Sequence, residues 1–194
     1  MVAVSVEFVN IWQLFMVESC RIRAMAHEDL SMVLSWRNHV DVRKFMFTQH
    51  EISLEEHRNW FALASMDPTR RLLIVEDTTG PLGYVQLSRV APGGVADWGF
   101  YARPDAPRGS GRNLGQMALS HAFNDLKLHK VCGQAIANNY GSIAFHQKLG
   151  FVQEGVLRDQ HCIAGTYYSL VCFGLLAHEW QTRPDSQEDP IGKN

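Results

Sequence analysis

Three glycines punctuate GSGRNLGQMAL, residues 109–119. They lead into a run in which Leu114, Ala118, Ala122 and Leu126 share one helical stripe. Glycine within a helix costs roughly 1 kcal/mol against alanine, so such a cluster marks backbone that must turn tightly or lie close to something. The first N–H groups of a helix lack partners inside it, and the helix dipole is positive there. The natural guest is an anion, often a phosphate. A tight turn that merely links a strand to a helix is the plainer alternative, and this stretch alone leaves both open.

The elements around the loop constrain the fold. Residues 20–25 read as a short strand, and HEDLSMVLSWRN as a helix with Leu30, Val33 and Leu34 in phase. Ser53 opens a second helix, SLEEHRNWFALA, with Glu56 three residues on in capping-box position. RRLLIVED, LGYVQLSRV and VADWGFYA follow as a three-strand meander broken by TTG and APGG turns. After the glycine loop and its helix come the strand HKVCGQAIA, the helix NYGSIAFHQKLG closed by a glycine, and two last strands, FVQEGVLRDQ and YYSLVCFGLL. This order predicts a mixed α/β layered domain, with helices on one face of the sheet and the glycine loop beyond a strand's carboxyl end.

A chain of 194 residues with 46% hydrophobic composition suits one domain with a real core. We divide it into an N-terminal extension (1–19), a single domain (20–180) and a polar tail (181–194). Met16 is an alternative start. A net charge of −2 gives no basic field for nucleic acid; the local cluster Arg103, Arg108 and Arg112 suits a small anion. The apolar N-terminus carries Glu7 and Glu18 and has no Lys or Arg before Arg21, which argues against a signal peptide or membrane span. Cys20, Cys132, Cys162 and Cys172 show no metal-ligand spacing, so we expect a metal-free, reduced, cytoplasmic protein.

Two nucleotide motifs fit poorly. GxxxxGK[ST] is absent, and Gly109, Gly111 and Gly115 neither match GxGxxG nor follow the first strand of a βαβ unit. RGSGRNLGQMAL, NYGSIAFHQKLGF and EGVLRD, with the element order, instead resemble the GCN5-related N-acetyltransferases over residues 20–180. The resemblance implies a central, mostly antiparallel sheet with a splay between two parallel strands, flanked by helices, and acetyl-CoA as cosubstrate without a metal. Its coenzyme would lie on the backbone of Arg108, Gly109, Ser110, Gly111, Arg112, Asn113, Leu114 and Gly115. Asn113 departs from the family's small residue. Asn139 and Ser142 would contact the pantetheine arm. Backbone N–H groups of Phe100, Tyr101 and Ala102, where family strands bulge, would hold the oxyanion.

LSWRNHVDVRKFMFTQHEIS and SLEEHRNWF sharpen the likeness toward members that acetylate the 4-amino group of UDP-4-amino-4,6-dideoxy-N-acetyl-β-L-altrosamine, a step of pseudaminic acid biosynthesis for flagellin glycosylation. Arg37, Asn38, His39 and His50 would then meet a UDP-amino-sugar, with Arg43 as a second cation, and Trp36, Phe45, Phe47 and Trp60 form either a stacking surface or core. Members that acetylate ribosomal-protein N-termini, and a non-catalytic coenzyme A-binding domain, are the alternatives. A homodimer is allowed.

Amine acetylation needs a base and an acid. Asp97 stands where relatives carry Glu and is the candidate base, with His50 as another. His146 stands where the family has its acidic Tyr, and Tyr140 is the alternative proton donor.

Overall fold

The computed structural model describes residues 20–107 and 109–183. The N-terminal extension, Met16, Arg108 and the tail from residue 184 lie outside the described residues. Seven strands form one sheet in the order β1-β2-β3-β4-β5-β7-β6. They are β1 (Arg21–Ala24), β2 (Arg71–Asp77), β3 (Gly80–Ser88), β4 (Val95–Ala102), β5 (Lys130–Ile136), β6 (Val152–Ile163) and β7 (Thr166–Leu176). All neighbours are antiparallel except β4 and β5.

Helices cover both faces, not one. The run RLLIV is the reason: Leu72 and Ile74 point one way, Leu73 and Val75 the other, and all four are buried, as in a strand covered on both sides. Leu72 and Ile74 join Met25, Leu30, Val33, Trp36 and Ala64 in a core beneath α1 (Leu30–Asn38) and α3 (Leu54–Met66). Leu73 and Val75 join Leu114, Ala118, Leu119 and Phe173 beneath α4 (Ser110–Ser120). Between α1 and α3 lies a short helix, α2 (Val40–Arg43), with His39 at its N-cap.

Local chemistry sets the helix ends. Ser53 Oγ accepts the Glu56 N–H at 3.1 Å and starts α3. Asn139 Oδ1 accepts the Ser142 N–H at 3.1 Å and starts α5 (Tyr140–Lys148), which ends at Gly150 with φ +92°. The stripe helix closes in one wide turn over His121–Asp125, where the Leu126 N–H reaches back to the His121 carbonyl at 3.0 Å. A last helix, α6 (Ala177–Thr182), runs past the expected boundary at residue 180.

The parallel ladder is short. Val95, Ala96 and Asp97 pair with Lys130, Val131 and Cys132, and the ladder ends there. β4 continues to Ala102 along β3, and β5 to Ile136 along β7. The two strands therefore part beyond Asp97 and Cys132. The expected bulge at residues 100–102 is absent, since the β3–β4 register runs unbroken from Ser88↔Asp97 to Gly83↔Ala102. Each strand follows its antiparallel neighbour, and this alone opens the gap.

Candidate active site

A cleft of about 750 Å³ occupies the gap between the parting strands. One part is lined by Gly99, Phe100, Tyr101 and Ala102 of β4, by Gly133 to Ile136 of β5, and by Asn139, Ser142 and Phe145 at α5. Gly111 and Leu114 of α4 join this part. The other part is walled by Asp41, Val42, Phe45, Met46 and Phe47, with Gln86, Ser88 and Asp97 on the sheet.

The glycine loop does several jobs. Gly109, with φ +99°, is the N-cap of α4 and has no side chain to cap the first N–H groups. The Ser110 and Arg112 N–H groups are taken instead by the Pro107 and Gly109 carbonyls, at 3.1 and 2.9 Å. A Cβ at Gly111 would meet only the Phe145 ring, at 3.6 Å, so the protein itself has room there. Gly115 is different: a Cβ there would lie 2.5 Å from Leu149 Cδ1 and 2.9 Å from Phe145 Cζ. Gly115 lets α4 and α5 pack closely and does not line the cleft, which corrects its expected cofactor role. Leu114 and Ser110 are likewise buried; Leu114 belongs to the core, although its edge reaches the cleft. Arg112 is exposed, and neither it nor Asn113 lines the cleft.

Asp97 sits at the last rung of the parallel ladder, half-exposed, with its Oδ1 2.6 Å from Arg89 Nη2. Across the rung, burial pushes the Cys132 thiol up from its ordinary value.

His146, the candidate proton donor, lines the cleft with its ring buried. It is 1% exposed. Trp98 Nε1–H donates to His146 Nε2 at 3.1 Å. An indole nitrogen can only donate, so Nε2 is the unprotonated nitrogen and Nδ1 carries the hydrogen. Nδ1 donates to the Ser142 carbonyl at 2.8 Å. Both nitrogens are engaged, and burial holds the imidazole below its ordinary value. Tyr140, the alternative acid, is 78% exposed and does not line the cleft.

The four expected acceptor contacts also lie elsewhere. Asn38 clamps the following loop, donating to the Ile52 carbonyl at 2.8 Å and accepting its N–H at 2.9 Å. His39 Nδ1 accepts the Asp41 N–H and caps α2. His50 Nε2 lies 3.1 Å from Glu56 Oε1 on the outer surface. Arg37 is 9% exposed, donates to the Thr48 carbonyl at 2.7 Å and does not line the cleft; burial pulls its guanidinium below its ordinary value. Arg37 and Asn38 hold the loop that carries Phe45, Met46 and Phe47 to the cleft. Arg43 reaches toward Glu51, 3.6 Å away. Of the aromatics, Trp36 and Trp60 belong to core, whereas Phe45 and Phe47 face the cleft.

A mixed seven-stranded sheet that parts between two parallel strands, with a glycine-started helix at the opening, defines an acetyltransferase architecture. Residues 20–152 match the Acetyltransferase (GNAT) domain, and the chain belongs to that family. It is 25% identical over 167 residues to the spermidine N(1)-acetyltransferase of Vibrio cholerae, covering 84% of this chain and 96% of that one. It is 24% identical over 127 residues to the acetyltransferase PseH of Campylobacter jejuni, covering 64% of this chain and 77% of that one. The crystal structure of the Vibrio cholerae spermidine enzyme with CoA and spermine has the same fold, with a TM-score of 0.77 at 24% identity over 84% of this chain and 98% of that one. The protein is thus an N-acetyltransferase that uses acetyl-CoA. Among the described residues, no helix is long and apolar enough to cross a membrane.

Proposed function

We propose that the protein acetylates the 4-amino group of a UDP-linked amino-dideoxy sugar, in the cytoplasm, as in pseudaminic acid biosynthesis. The observation that carries this reading is the chemistry of the acceptor wall. The carboxylates among the lining residues are Asp41 and Asp97, and each already holds a cation: Lys44 Nζ at 2.7 Å and Arg89 Nη2 at 2.6 Å. A polycation would need carboxylates free to receive it, whereas Phe45, Met46, Phe47 and Val42 suit the faces of a deoxysugar or a uracil.

Acetyl-CoA supplies the activated acyl group, and its diphosphate would rest at Gly109–Gly111 with its arm along Asn139 and Ser142. Backbone of Phe100 to Ala102 would face the thioester oxygen. Asp97 would take the amine proton, through a water, as nitrogen attacks directly. With both His146 nitrogens engaged within the protein and Tyr140 outside the cleft, the thiolate would be protonated from solvent.

A polyamine acceptor is the second reading. The spermidine acetyltransferase matches a larger share of this chain than PseH does, 84% against 64%. Free thiol release decides: turnover with the UDP-amino-sugar and none with spermidine or ribosomal peptides supports the proposal. Turnover with spermidine alone overturns it, as does tight CoA binding with no turnover on any amine.

A further inference from the structure

Trp98 and Gly133 are the first residues past the end of the β4–β5 ladder. The Trp98–His146 hydrogen bond passes directly over Gly133: a Cβ on that glycine would fall against His146 Nε2 and 2.6 Å from Trp98 Nε1. The bond joins β4 to α5 across β5, at the point where the strands separate. Its two ends are held firmly. The indole stacks on Phe151, with centroids 4.9 Å apart, and the imidazole lies flat on Phe173 at 4.6 Å and 8°. The Ser142 carbonyl fixes the far nitrogen of the ring. Every polar atom of the pair is satisfied inside an apolar cluster, which is the condition for a buried polar contact to specify one arrangement.

We propose that the Trp98–His146 hydrogen bond is a clasp that sets the angle at which β4 and β5 part, so that His146 is a positioning residue for the acyl-transfer cleft. β5 passes beneath the clasp, which only a glycine at 133 permits. Ser142, expected to meet the cofactor arm, is tied to β4 through His146, so the arm's contacts on α5 and on β4 move as one unit. The inference rests on the reading that the cofactor arm enters between these strands.

The test compares Trp98→Phe, His146→Phe and His146→Gln with the wild type, by CoA titration calorimetry and by kcat, KM and pH–rate profiles. Gln offers an acceptor oxygen to the indole but cannot act as an acid. We expect H146Q to bind CoA like the wild type, with kcat within about threefold and the same pH profile. W98F and H146F should lose about tenfold in CoA affinity, the worth of roughly one hydrogen bond, and about 10²-fold in kcat from misplacement of the reacting groups. H146Q with wild-type CoA affinity but a kcat about 10²-fold lower and one limb of the profile missing would make His146 the proton donor and overturn the clasp. So would W98F binding and turning over like the wild type, or an H146Q that fails to fold. If H146F does not fold, W98F against H146Q decides. No CoA binding by the wild type itself would instead remove the reading beneath the inference, and the inference with it.

Discussion

The ring of His161 lies 4.6 Å from the ring of Phe47, and its Nε2 is 3.3 Å from the Phe47 carbonyl. The contact joins residues 114 apart, from the β6–β7 hairpin and the loop after α2. It braces one edge of the cleft, because Phe47 lines it, and on the proposed reading this is the edge that meets the amine. Phe47→Ala should raise KM for the amine about tenfold and leave KM for acetyl-CoA unchanged, as checked by steady-state kinetics with each substrate varied in turn. Equal change in both constants would mean that the contact supports the whole cleft.

Asp97→Asn should lower kcat about 10²-fold at neutral pH if the carboxylate receives the amine proton. The defect should shrink as pH rises, because an amine that is already neutral needs no base. A pH-independent defect would leave Asp97 with the ion pair to Arg89 as its sole role.

Gly111 and Gly115 separate two meanings of a glycine. Gly111→Val should fold normally, since its Cβ meets only Phe145, yet lose CoA affinity because the side chain would fill the diphosphate's place. Gly115→Ala should instead cost about 1–3 kcal/mol of stability by overpacking against Leu149 and Phe145. Thermal melts with and without CoA distinguish them.

Burial lowers the affinity of His146 and His57 for protons relative to the unfolded chain, with Arg37 adding to the effect at His57. Below the ordinary value of 6.5, the unfolded state binds protons that the native state refuses. Stability contributed by these histidines is therefore fully present above that pH and is lost as pH falls through 6.5 toward the lowered native values. Tm should drop between pH 7.5 and 5.5, and His146→Gln should flatten that drop.

What the chain disclosed depended on how local the chemistry was. Ser53, Asn139 and Gly150 act on backbone within a few residues, and each could be read from its neighbours. The doubly covered sheet was also written in RLLIV, as a run with no polar alternate, but the expectation of one helical layer passed over it. The Trp98–His146 hydrogen bond could not be read, because its partners lie 48 residues apart. His39, His50 and Asn38 show the opposite case: each makes a local contact, a cap, an ion pair or a clamp, that a short window of sequence does not separate from a contact with substrate. The α2 wall, with Asp41, Val42 and Met46, has too short a periodicity to announce a helix or a face. Phe45 and Phe47 were visible as aromatics, though not as distinct from Trp36 and Trp60, which only packing separates.

Arg37 and Asn38, at the end of α1, reach forward to the carbonyl of Thr48 and both backbone groups of Ile52. The span bearing Phe45 and Phe47 hangs from these anchors and from α3, while the opposite side of the cleft belongs to β4, β5, α4 and α5. On the proposed reading the amine would meet this span together with Asp97, and the acyl donor would meet the strands and helices opposite. A graft that replaced residues 40–51 between fixed anchors would reprogram amine choice while the acyl donor's berth stayed as it was.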